Sequence, residues 1–133
     1  MESVEIYKDW VESAFEDFSV AQINFNAEKY KHCVVNCHHA LEKMVKAIYI
    51  NYNGKLPRKS HNIVELLREV LGDIVYTQLV SEEKQDFFAD VTSFYPGINY
   101  PDSNRYNKIE RELAEKVLLK TRSELEWLKY LLK

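Results

Sequence analysis

The sequence predicts an all-α protein: an up-and-down four-helix bundle with one additional short helix. Three observations carry that expectation. Apolar residues recur at i, i+3, i+4 and i+7 through long stretches, the period of a helix that buries one face. The three glycines (Gly54, Gly72, Gly97) and three prolines (Pro57, Pro96, Pro101) fall between those stretches and not within them. No alternating strand pair, internal repeat or low-complexity tract breaks the pattern. Long helices joined by short connections pack as antiparallel neighbours, hence the bundle. At 133 residues the chain can bury one sizeable core and has little room for another, so 1–133 reads as one helical domain.

The first helix is expected over residues 4–25, with a stripe of Tyr7, Trp10, Val11, Ala14, Phe15, Phe18, Ala21 and Phe25. Asn26 offers an N-cap for a second helix over about 27–52. Its stripe is Tyr30, Cys33, Val34, Cys37, Leu41, Met44, Val45, Ile48 and Tyr52. Asn62 followed by Glu65 has the form of a capping box opening a short third helix that stops near Gly72. Residues 72–80 are rich in β-branched side chains, so a helical turn and an extended link both fit. Ser81 with Glu82 and Glu83 opens the next helix, because acids in a first turn complement the helix dipole. After a Pro96–Pro101 loop, Asp102 to Asn104 supply caps for a last long helix ending near Leu132. Each buried Phe, Leu or Ile contributes roughly 1.5–3 kcal/mol, so the aromatics of the first helix read as core. Nine tyrosines exceed what such a core needs. Tyr49, Tyr52, Tyr95, Tyr100 and Tyr130 are therefore candidates for an interface, where a ring with a polar tip is favoured.

An apolar content of 46% beside 29% charged residues is that of a soluble globular protein. No apolar run approaches the ~20 residues that span a bilayer, and Met1-Glu2-Ser3-Val4-Glu5 lacks the order of a secretory signal. The expectation is a cytoplasmic protein with no membrane partner. Cys33 and Cys37 lie four apart on an apolar helical face and read as buried free thiols, not as a disulfide framework.

Charge is distributed unevenly. Residues 29–61 hold seven basic residues (Lys29, Lys31, Lys43, Lys46, Lys55, Arg58, Lys59) against Glu42 alone, and all four histidines (His32, His38, His39, His61). The flanking segments, 1–28 and 62–104, each carry a formal charge of −6 against +6 for the middle one. A local field of this kind steers anionic partners. It equally serves to pair the second helix with acidic neighbours in the bundle.

The order of motifs resembles the HEPN domain, a four-helix-bundle family named for nucleotide binding in higher eukaryotes and prokaryotes. The resemblance rests on Trp10 and Asp17, on His39-Ala40-Leu41-Glu42-Lys43-Met44-Val45-Lys46-Ala47, and on Gly54, Pro57 and His61. It continues through Tyr95-Pro96 and Tyr100-Pro101-Asp102 and covers nearly the whole chain. One position departs from the pattern: relatives often carry Arg before the Tyr-Pro-Asp triplet, and here it is Asn99. A phosphate contact made by that arginine would be missing here or taken over by Arg105.

The resemblance implies two different functions. Many HEPN proteins are metal-independent ribonucleases, usually dimeric, with an Arg followed after four to six residues by His near the start of the last helix. No histidine follows residue 61 here, and two residues separate Arg58 from His61, so that motif is absent. The other branch is similar to small HEPN proteins encoded beside a minimal nucleotidyltransferase, in modules linked to toxin–antitoxin behaviour. For this chain that implies a homodimer, a nucleotidyltransferase partner, and a nucleotide or RNA as a further ligand. It implies no catalytic residue and no cofactor. Two competing readings are a ribonuclease that assembles Arg105 with a histidine from elsewhere in the fold, and a purely structural dimeric adaptor.

The candidate binding residues are His38, His39, Glu42, Lys43, Lys46, His61, Tyr95, Asn99, Tyr100, Asp102 and Arg105. His38 and Glu42 are four apart, as are His39 and Lys43, so each pair shares a helical face. His39, Lys43 and Lys46 can present donors to a phosphate, with Glu42 orienting one of them. Alternatively Glu42 and the lysines pair across the bundle and fix helix register. His61 either caps the loop after Pro57 or takes part in chemistry. A zinc site from His38, His39 and His61 is disfavoured, because adjacent helical residues point about 100° apart. No Gly-rich phosphate loop, nucleophile elbow or usefully spaced carboxylate pair is present.

Overall fold

The long apolar stripes become long helices. The computed structural model describes residues 2–98 and 109–133, with side chains over 6–94 and 109–133. Its helices are α1 (Glu2–Asn26), α2 (Tyr30–Asn53), α3 (Ile63–Leu71), α4 (Asp73–Leu79), α5 (Glu82–Ile98) and α6 (Arg111–Lys129), with no strand among the described residues. α2 is the central post and packs against α1, α3, α5 and α6. Cys33, Val34, Cys37, Ala40, Leu41, Met44, Val45 and Ile48 are fully buried along it. Ala14 and Ala21 of α1 face it without bulk, so these two helices form the most extensive contact of the molecule. Phe88 and Val91 of α5 and Ala114, Leu125 and Leu128 of α6 complete the core.

The α1–α2 connection corrects one expectation. Asn26 is the last residue of α1, not an N-cap, and the second helix starts at Tyr30 instead of residue 27. Glu28 adopts φ 62°, while Lys29 N–H donates to the Asn24 carbonyl and Glu28 N–H to the Phe25 carbonyl. That double bond pattern is a Schellman turn, which satisfies the C-terminal carbonyls of α1 before the chain reverses. Packing sets the new start: Tyr30 lies edge-on against Phe25, with ring centroids 5.6 Å apart.

Gly54 ends α2 at φ 70°, donating its N–H to the Ile50 carbonyl. Asn62 caps α3 by accepting from Glu65 N–H at 3.0 Å. The Glu65 side chain does not return the bond to complete a box; it pairs with Arg58. Residues 73–79, which fit a turn or a link, are helical. Tyr76 anchors this short α4: it is buried, donates its hydroxyl to Gln85 Oε1 at 3.0 Å, and has the Arg68 guanidinium 4.6 Å above its ring. Ser81 caps α5 as expected, its hydroxyl accepting from Lys84 N–H.

Two further expectations are corrected. Pro96 and Gly97 lie in the final turn of α5, not in a loop beyond it. A proline there removes one backbone bond, and little helix follows for a kink to misdirect. The last helix begins at Arg111, after Glu110 in extended backbone. The expected caps Asp102 to Asn104 lie outside the described residues. Tyr52, one of the interface candidates, donates its hydroxyl to the Leu131 carbonyl at 2.7 Å, and Asn51 accepts from Lys133 N–H at 2.7 Å. These bonds tie the C-terminal end to α2. Tyr130 is 86% exposed.

Candidate functional site

The polar residues of α2 gather where it faces α1 and the segment leading into α3. Glu42 is the centre. Its carboxylate is buried, with Oε2 accepting from Lys46 Nζ at 2.9 Å and Oε1 lying 2.8 Å from His61 Nδ1. Burial pushes the Glu42 carboxyl up, but the bonds from Lys46 and His61 outweigh it and leave its pKa below the usual value. Glu42 is therefore an ionised acceptor. Lys46 also sits 5.9 Å over the Trp10 ring, which gives its charge a second neutralising surface.

His38 is fully buried, and its Nε2 lies 3.0 Å from the His61 carbonyl oxygen. A carbonyl only accepts, so Nε2 carries the hydrogen. Burial lowers the His38 pKa to about 4, so the ring is neutral at physiological pH. Two histidines thus hold one segment: His38 grips the backbone of His61, and the His61 ring reaches Glu42. The His39 pKa is also lowered, by burial first, with Glu42 and Asp17 opposing that effect.

Lys43 points to α1. Its Nζ lies 2.8 Å from Asp17 Oδ2 and donates to Ser13 Oγ at 2.9 Å. Arg58 pairs with Glu65 and, at 3.3 Å, with Glu69 of α3. Lys43 and Arg58 of the basic segment are thus matched to acids of the flanking helices, and Lys46 to Glu42 of its own helix. Of the expected site residues, His38, His39, Glu42, Lys43, Lys46 and His61 meet in one cluster. Tyr95 (as a side chain), Asn99, Tyr100, Asp102 and Arg105 lie outside the described residues. Sequence reasoning overlooked Ser13; its spacing of four from Asp17 on α1 was the available signal. It also overlooked Lys84, whose Nζ lies 2.8 Å from the buried Glu124 and 4.2 Å over the Trp127 ring. Lys84 and Glu124 are 40 residues apart in the chain, and no local pattern connects them.

Cys33 and Cys37 are buried free thiols. The hydrogen bond its S–H donates to Cys33, together with burial, holds the Cys37 thiol well above its usual range. Among the described residues, no group of three or more His, Cys, Asp or Glu is placed to hold a metal, and no helix is long and apolar enough to cross a membrane.

The HEPN domain profile matches residues 7–131. The chain belongs to the HEPN family. A solved structure, that of TT1696 from Thermus thermophilus, has the same fold as this HEPN chain. It aligns with a TM-score of 0.81 at 22% identity, over 95% of this chain and 98% of that one. No curated protein matches the sequence. The cluster around Glu42 sits on the His39–Ala47 segment that carries the family resemblance.

Proposed function

We propose that this HEPN protein is the non-catalytic, partner-binding component of a two-gene module with a minimal nucleotidyltransferase, and that it works as a homodimer. The observation that carries this reading is the engagement of its basic residues. Lys43, Lys46 and Arg58 are held by Asp17, Glu42 and the α3 acids, so three of the seven basic residues of the positive segment are already matched within the chain. The sequence also lacks the Arg-to-His spacing of the ribonuclease branch. Co-expression with the nucleotidyltransferase encoded beside it is expected to yield a complex that co-elutes in size exclusion. Independent elution of both proteins would overturn the module reading. Purified alone, the chain is expected to leave transfer RNA and single-stranded RNA intact.

One observation favours a second reading. A buried carboxylate that accepts from His61 Nδ1 holds the ring by that nitrogen, the arrangement that orients a general base. The ring is 61% exposed. Under this reading the protein is a metal-independent ribonuclease with a non-standard site. Metal-free RNA turnover abolished by His61→Ala or Arg105→Ala would establish it in place of the first.

A further inference from the structure

α5 and α6 run side by side and are tied at one end, where Lys84 reaches Glu124 and Lys120 reaches Glu83. Beside that tie lies a groove of about 420 Å³, floored by Phe87, Val91, Leu113 and Val117. Its two rims differ in charge. Glu82, Glu83, Asp86 and Asp90 line it from α5, and Lys116 and Lys120 from α6. Glu83 and Lys120 neutralise each other across the tie. Glu82, Asp86 and Asp90 are exposed and, among the described residues, make no ion pair; nor does Lys116. Their spacing of four strings the three carboxylates along one flank of α5, about 6 Å apart. The helix dipole accounts for Glu82 in the first turn, but its effect fades before Asp86 and Asp90. Like charges four residues apart repel, and aspartate is a poor helix former, so this row weakens α5 unless something outside the chain meets it.

We propose that the groove receives a basic amphipathic helix of a partner protein, with Lys or Arg along the flank that meets α5. A guest helix laid along the groove sets its apolar side chains over the Phe87, Val91, Leu113 and Val117 floor, as in other helix-in-groove recognition. Basic residues at every fourth position of the guest repeat at the same ~6 Å as Glu82, Asp86 and Asp90. With Glu83 and Lys120 paired to each other, three acids stand against Lys116 alone, so the groove favours a guest of net positive charge. Acids on the α5 flank of a guest would meet like charge and lose affinity. The same carboxylates repel phosphates and turn nucleic acid away from this face. The partner is defined by this chemistry alone, whatever gene encodes it, so the groove keeps its role even if the module reading above fails.

A synthetic amphipathic helix tests this, with leucines on one face, lysines at every fourth position of one flank and a fluorophore for anisotropy titration against the full chain. The wild type is expected to bind it at micromolar concentration. Asp86→Lys with Asp90→Lys is expected to weaken binding about tenfold or more and to turn the preference toward a peptide carrying glutamates in place of the lysines. Glu112→Lys with Glu126→Lys changes the net charge equally at exposed α6 positions that do not line the groove. That pair is expected to leave the affinity within about twofold, because exposed charges at a distance are screened. Far-UV circular dichroism checks that each variant is folded, as exposed positions should allow. Equal weakening by the two pairs would reduce the attraction to net charge and overturn the groove. A wild type that never saturates with the lysine peptide would overturn it outright. Light scattering tests a second copy as the occupant: a wild-type dimer that the Asp86 and Asp90 changes split into 15.8 kDa chains would give the groove to that copy and overturn the partner helix.

Discussion

Lys46 shows how one side chain decides between reading the basic helix as an anion site and as a structural strut. Its ammonium is 14% exposed and lies against a carboxylate that is 9% exposed. Removing one partner of such a pair leaves the buried carboxylate with only His61 beside it, at a cost that approaches the roughly 3–5 kcal/mol of breaking a buried ion pair. Lys46→Ala is therefore expected to lower the melting temperature clearly and to leave a nucleotide titration unchanged. A variant that keeps its melting temperature but loses salt-sensitive nucleotide binding would reverse that assignment. His38 gives a second expectation at this scale. Its folded pKa is about 4 against an ordinary 6.5, so the unfolded chain binds the extra proton first as pH falls. The stability tied to the neutral ring is full above pH 6.5 and drains away toward pH 4, by up to about 3 kcal/mol. Glu42, whose pKa is also lowered, adds to the loss in the same direction as pH falls through its own range. His38→Gln keeps an N–H donor and cannot titrate. Its denaturant midpoint is expected to vary less between pH 6.5 and 4 than that of the wild type, and equal slopes would remove His38 from the account.

At the scale of elements, the stripes and the caps at Asn62 and Ser81 were legible and the connections were not. Asn62 announced α3 because a side chain that accepts from the third residue onward is a local event, readable in four letters. Asn62→Ala is expected to cost about 1 kcal/mol, measured by chemical denaturation, with no change in the slope of the transition. Ser81 was legible for the same reason. The α1–α2 turn was not, because Glu28 occupies a left-handed position that glycine usually marks, so the sequence carried no sign of it. Pro96 misled in the opposite sense, since proline as a helix terminator is a tendency that a final turn can ignore. α4 was ambiguous in sequence because its anchor is distant: Tyr76 is held by Arg68 and Gln85, and only the fold brings them together. The cluster around Glu42 was half legible. The i, i+4 relations on α2 could be read directly, whereas the reach of Lys43 across to Asp17 and Ser13 of α1 could not.

For the whole molecule, the placement of the two cysteines on the central helix has a practical outcome. Both thiols lie at 0% exposure on α2, the element that every long helix packs against. No reagent reaches them while the bundle is shut, and a thiol in that setting reacts only after the surrounding structure parts. The rate at which an aromatic disulfide reagent labels the native protein is thus a clock for opening of the entire core, already built into the chain. Labelling is expected to be slow in buffer, to speed up with denaturant in step with global unfolding, and to involve both cysteines together. Fast modification of one thiol with the fold intact would mean that the bundle breathes locally around α2, and that its central post is looser than its packing implies.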